Sequence, residues 1–193
     1  MSLHDAAKNG NLPQAEQALG NNEAINDPDG NKETALHKAA RAGHVDMVNF
    51  LISKGAEIDA KDKYDRTALY LAAWNGHTAI AERLLEEDGD IVDLRCVCDR
   101  TALSKAAENG HIELVQLLLK HRASPTEENM FAEDAMMLAQ RNGHDDVTDL
   151  LISYAIVCPF ILYILLLLLV RTSYNPNWAF SDQISHSPTR KIS

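Results

Sequence analysis

Apolar residues recur along most of the chain with the spacing of one helix face. Val45, Val48, Leu51 and Ile52 form one such set, and Ile112, Val115, Leu118 and Leu119 form another. This periodicity predicts amphipathic helices rather than strands. A shorter block of Leu and paired Ala precedes each set. Leu3-His4-Asp5-Ala6-Ala7 returns as Leu36-His37-Lys38-Ala39-Ala40, Leu69-Tyr70-Leu71-Ala72-Ala73 and Leu103-Ser104-Lys105-Ala106-Ala107, and more weakly as Met136-Met137-Leu138-Ala139-Gln140. Gly10, Gly43, Gly76, Gly110 and Gly143 close these blocks at intervals of 33, 33, 34 and 33 residues. A His follows the glycine as His44, His77, His111 and His144.

Each period reads as helix, turn, helix. Thr34, Thr67 and Thr101 stand where a hydroxyl can accept from backbone N–H groups left free at a helix start. The closing glycine supplies the positive φ that ends the helix. The first helices are predicted near 4–11, 34–42, 67–75, 101–109 and 134–142. A polar turn such as Asp59-Ala60-Lys61-Asp62-Lys63 leads to the next unit. A single unit cannot bury its own apolar face, whereas stacked units bury one continuous core. The expected fold is all-α, a solenoid of about five units over residues 2–153. Their approximate limits are 2–32, 33–65, 66–99, 100–132 and 133–153. The single 34-residue interval places one extra residue around Glu86-Glu87-Asp88, where the stack is expected to bulge.

The unit resembles the ankyrin repeat, most closely in Thr34-Ala35-Leu36-His37, Ala39-Ala40, Gly43-His44 and Gly55-Ala56. The departures are specific. Ala35, Ala68 and Ala102 replace the motif proline. Tyr70, Ser104 and Met137 replace the motif histidine. Lys32, Asp65 and Asp99 replace the hairpin glycine, and Arg122 stands where a glycine should follow the fourth unit's second helix. The resemblance implies that the hairpin tips and the exposed side of the first helices form a concave contact face. On that face fall Arg41, Tyr64, Arg66, Trp74, Asn75, Arg100, Glu108, Phe131 and Arg141, the candidate partner-binding residues. Trp74 stands out, because an exposed Trp costs solvation, and Trp, Tyr and Arg are enriched at binding hot spots. The competing reading packs Trp74 against a neighbouring hairpin.

Charge narrows the partners. Residues 1–154 hold 15 Lys and Arg against 27 Asp and Glu, a charge of −12, and the remainder carries +2. An acidic body argues against nucleic acid, whose phosphates need a basic stripe. Cys96, Cys98 and Cys158 make no disulfide framework, and the first residues lack a secretory signal, so a cytoplasmic location is expected. The repeated histidines do not suit a metal. Stacked helices lie about 8–10 Å apart, and zinc ligands must converge to about 2 Å from one ion. They read as turn-stabilising residues, and Cys96-Val97-Cys98 as a partly buried hairpin. The sequence carries no nucleophile elbow, phosphate loop or dinucleotide fingerprint. The expectation is a binding module for another protein, with no enzymatic activity and no cofactor. The alternative is a regulatory subunit or inhibitor that occludes an enzyme's site.

The C-terminal part departs from the repeats. Residues 155–170 are uncharged and end in a Leu-rich run before Arg171. Three readings compete within the hydrophobic segment 154–171: a membrane anchor, a helix capping the stack, and a divergent end without selected function. From Ala155 the run has 16 residues, or about 24 Å of helix, slightly short of the roughly 17–25 residues of a span. The anchor reading is favoured, with the repeats facing the cytosol. Residues 172–193, rich in Ser, Pro and Asn, are expected to be disordered.

Overall fold

The computed structural model describes residues 2–155. Among these, the chain forms helices in pairs and no strand. The first helices of the five units are α1 (Leu3–Asn9), α3 (Ala35–Ala42), α5 (Ala68–Asn75), α7 (Ala102–Glu108) and α9 (Ala135–Arg141). The second helices are α2 (Leu12–Gly20), α4 (Val45–Ser53), α6 (Thr78–Glu87), α8 (Ile112–Lys120) and α10, residues 145–155. The observed first helices lie within two residues of the predicted limits. The hydrophobic run from residue 156 onward, with its membrane, capping and divergent-end readings, lies outside the described residues, as does the expected disorder of 172–193. Among the described residues no helix is long and apolar enough to cross a membrane.

Helix starts follow the sequence signals. Ser2 Oγ accepts from the Asp5 N–H, and the Asp5 carboxylate accepts from the Ser2 N–H. Thr67 Oγ1 accepts from Tyr70 N–H and Thr101 Oγ1 from Ser104 N–H. Asp134 takes this place in the fifth unit, accepting from Met137 N–H. Gly43, Gly76, Gly110 and Gly143 all hold φ between 73° and 83°, as the period requires.

First helices pack on first helices, α1 on α3, α3 on α5, α5 on α7 and α7 on α9, while second helices form a parallel row behind them. Alanine makes the front row close. Ala39, Ala40, Ala72, Ala73, Ala106 and Ala107 are fully buried and keep neighbouring backbones near. Leu36, Leu69 and Leu103 fill the layer between the rows, joined by Leu51, Leu84 and Leu118 from the second helices. Truncating one such leucine to alanine costs about 2–5 kcal/mol.

Expected to stabilise their own turns, His44, His77 and His111 make no side-chain cap bond at the starts of their second helices. Nε2 of His44, His77, His111 and His144 donates to the carbonyl of Lys8, Arg41, Trp74 and Glu108, respectively, each in the preceding unit, at 3.0–3.3 Å. They are ties between units. The motif histidines do likewise at the other end of the first helix: His37 Nε2 donates to Arg66 O at 2.9 Å, and His4 Nε2 to Glu33 O. The extra residue of the third unit lengthens α6 to ten residues and is followed by a 3-10 turn at Gly89–Asp93.

Candidate partner-binding face

Four hairpin tips, residues 29–33, 62–66, 96–100 and 129–133, stand in a row ahead of α3, α5, α7 and α9. In each, the backbone N–H of the first residue donates to the carbonyl of the fifth. The fourth residue takes positive φ in every tip: Lys32, Asp65, Asp99 and Ala132, at 55–58°. Three tips are braced by a side-chain oxygen at the first position. Asp29 Oδ1 accepts from Asn31 and Glu33 N–H, Asp62 Oδ1 from Tyr64 and Arg66 N–H, and Asn129 Oδ1 from Phe131 and Glu133 N–H. Cys96 holds that position in the third tip. Neighbouring tips are tied by Lys63 N–H to Asn31 O, Val97 N–H to Tyr64 O and Met130 N–H to Cys98 O.

The fifth tip residue pairs with a helix residue eight positions later in every case. Glu33 pairs with Arg41, Arg100 with Glu108 and Glu133 with Arg141 through ion pairs. The remaining pair is Arg66 and Trp74, where the guanidinium lies 5.9 Å from the ring centroid. Six of the nine candidate residues, Arg41, Arg66, Trp74, Arg100, Glu108 and Arg141, are therefore engaged within the chain. Asn75 Nδ2 donates to Leu71 O of its own helix. Tyr64 and Phe131 are exposed, Phe131 to 64%.

Trp74 is both packed and open. Its ring meets Tyr70 edge-on at 6.2 Å, and the Lys105 ammonium sits 4.1 Å from its centroid. The residue is still 42% accessible. Two hollows flank it and share Tyr64, Arg66 and Trp74. One, of about 360 Å³, runs toward Glu33, Arg41, Lys63 and Asn75. The other, of about 390 Å³, runs toward Tyr70, Cys96, Arg100 and Lys105. Phe131 and Arg141 line neither.

Local electrostatics hold the acids ionised. Burial works against Glu33, Asp62 and Glu108, but Arg41 and Lys38 at the first, Arg66 at the second and Lys105 and Arg100 at the third bring each carboxyl below its ordinary value. Burial, reinforced by Cys96, pushes the Tyr70 phenol well up, so it stays a neutral hydroxyl. Tyr70, Cys96 and Lys105 are not among the nine candidate partner-binding residues. Lys105 sits in a first helix at the position that Lys38 holds in the second unit, with Leu103 and Ala106 buried on either side. Superposing the units on their glycines aligns Cys96 with Asp29, Asp62 and Asn129, which marks it as the tip lacking its brace.

A family model described as ankyrin repeats (3 copies) matches residues 3–95 and again residues 90–159. The chain belongs to the ankyrin repeat family. No curated protein matches it significantly. Ankyrin repeats are generally protein–protein interaction modules. In this ankyrin stack the tips keep their backbone fold at Lys32, Asp65, Asp99 and Ala132 without the motif glycine. Where the motif histidine is lost, Ser104 Oγ substitutes for it by accepting from Thr101 N–H at 3.0 Å.

Proposed function

We propose that the chain binds a protein through its hairpin tips and first helices, with Trp74 at the centre of the contact. The observation that carries this reading is the 42% exposure of an aromatic ring set between two hollows and bordered by Tyr64 and Arg66. A half-buried Trp beside aromatic and guanidinium groups has the composition of a binding hot spot. The internal pairs of Arg41, Arg66, Arg100 and Glu108 fix those side chains before a partner arrives, which lowers the entropy lost on binding. The uncharged run at 155–170 supports holding this surface at a membrane with the repeats in the cytosol.

Affinity capture with the full chain and with Trp74→Ala tests the binding reading. A set of proteins retained by the native chain and lost with the variant, at an unchanged folded signal, supports it. Equal capture by both sinks it. Adding a captured enzyme's activity assay separates an adaptor from an inhibitor. Alkaline carbonate extraction of the full chain beside one ending at Ser153 tests the anchor, which fails if the full chain is released in folded form.

A further inference from the structure

The hollow between the second and third tips is short of carboxylate. In the second unit, the Lys38 ammonium is met by Asp29 at 2.7 Å and Glu33 at 3.2 Å. The equivalent lysine of the fourth unit is Lys105, whose side chain is only 9% exposed. The positions matching Asp29 and Glu33 are occupied there by Cys96 and Arg100. Glu108 is left to serve Lys105 at 2.7 Å, Arg100 at 2.9 Å and Arg141 at 3.7 Å. The same replacement strands a donor. Arg66 Nε donates to Asp62 Oδ2 at 2.8 Å, whereas Arg100 Nε, beside Cys96, is buried with no hydrogen-bond partner. A buried donor left unmatched costs free energy that a ligand oxygen recovers. The hollow's lining holds three cations, Arg66, Arg100 and Lys105, and no carboxylate, on a body of charge −12. Trp74 and Val97 give the lining apolar surface.

We infer that this hollow takes an extended segment of a partner protein that carries an Asp or Glu next to an apolar residue. The carboxylate enters between Arg100 and Lys105, standing in for the acid that Cys96 replaces, and the apolar side chain lies against Trp74. Charge complementarity selects this occupant: three cations line the hollow with no carboxylate among them, whereas the adjoining hollow already holds Glu33 beside its cations. The inference rests on the binding reading given above and specifies its ligand.

A random peptide library displayed on phage, selected on the full chain, tests it. Enriched peptides are made with a fluorescent label, and their Kd is measured by anisotropy against the native chain, Cys96→Asp and Trp74→Ala. Enrichment of Asp or Glu beside an apolar residue is expected. Cys96→Asp supplies the missing acid from within, so it should weaken binding roughly tenfold, the scale of a lost charge-assisted hydrogen bond, while the melting temperature holds or rises. Replacing the peptide's Asp by Asn should cost a similar factor. Should Cys96→Asp lack a melting transition, Arg100→Gln takes its place with the same expected loss. Acid-free peptides that still depend on Trp74 would overturn the acidic ligand and leave the binding face standing. Acidic peptides whose affinity ignores both Cys96→Asp and Arg100→Gln would also overturn it. No enriched peptide, or none that responds to Trp74→Ala, would overturn both readings.

Discussion

The imidazole of His77 occupies the space that a side chain on Gly43 would need: a Cβ built there would lie 2.7 Å from His77 Cε1. Gly76 stands in the same relation to His111, at 2.8 Å. The period's glycine thus serves two purposes, ending its own helix at positive φ and making room for the next unit's tie. Gly143 has only the first purpose among the described residues, with nothing near its missing Cβ.

Gly76→Ala should therefore destabilise the stack more than Gly143→Ala. Both incur the left-handed penalty of about 1–2 kcal/mol, and Gly76→Ala also displaces the His111 ring with its bond to Trp74 O, adding about 1 kcal/mol. Urea unfolding of the two variants measures the difference. A double-mutant cycle of Gly76→Ala with His111→Ala should show a favourable coupling, since the second change removes the ring the first collides with. Equal losses at the two glycines would sink the account.

Non-glycine residues in the left-handed region mark places where stability can be gained. Ala132 at φ 58° and Arg122 at φ 66° are exposed and carry that strain. Ala132→Gly and Arg122→Gly should each stabilise by about 0.5–1 kcal/mol, the relief of strain less the greater freedom of glycine in the unfolded chain. Chemical denaturation should show a higher midpoint with an unchanged slope.

His37 makes stability depend on pH near neutrality. Thr34 N–H donates to its Nδ1, and its Nε2–H donates to Arg66 O, so the neutral ring is the bonded form. Burial lowers its pKa below the ordinary 6.5 despite the pull of the Arg66 carbonyl and nearby acids. The unfolded chain then binds this proton first, so the contribution is complete above about pH 6.5 and is lost as pH falls through the lower folded value. His37→Ser, which copies the Ser104 arrangement of the fourth unit, should be less stable at pH 7.5 yet flatter in its pH profile below 6.5. A variant as steep as the native chain in that range would exclude His37 as the source.

Asp29 sets a second, more acidic window. Burial opposes its charge, but Lys38 and the Glu33 and Asn31 N–H groups overcome this and hold its carboxyl at about 2, from an ordinary 3.8. Its contribution is present above about pH 4 and disappears as pH falls to about 2. Asp29→Asn keeps the loop bonds, as Asn129 does in the fourth tip, and removes the charge alone. Acid unfolding of this variant should begin from a lower plateau and fall less steeply between pH 4 and 2.

The repeat and its helices are legible in the sequence because each signal is local. A Thr or Asp before the helix, a glycine after it and a buried Leu stripe within it all act over fewer than ten residues. The exposure of Trp74 is legible too, since position 74 lies off the Leu and Ala stripe. Its contacts are not: the Lys105 ammonium reaches it from the next unit, 31 positions along. A local reading of the post-glycine histidines falls short for the same reason, because their acceptors lie 36 or 37 residues earlier. The repeat register already aligns Cys96 with Asp29, but that Asp29 serves Lys38, and that Lys105 therefore lacks this acid, is seen only in the structure.

The longer third unit has a consequence for how such a chain can vary. Its extra residue is taken up by α6 and the 3-10 turn on the side of the second helices, while Val97 N–H still reaches Tyr64 O at 3.0 Å and the tips stay in step. Length changes at this place behave like slack let out behind a ruler whose graduations stay fixed. A partner gripping successive tips meets the same intervals before and after the insertion, so the outer loops are free to drift in length while the order and separation of the contacts remain constrained.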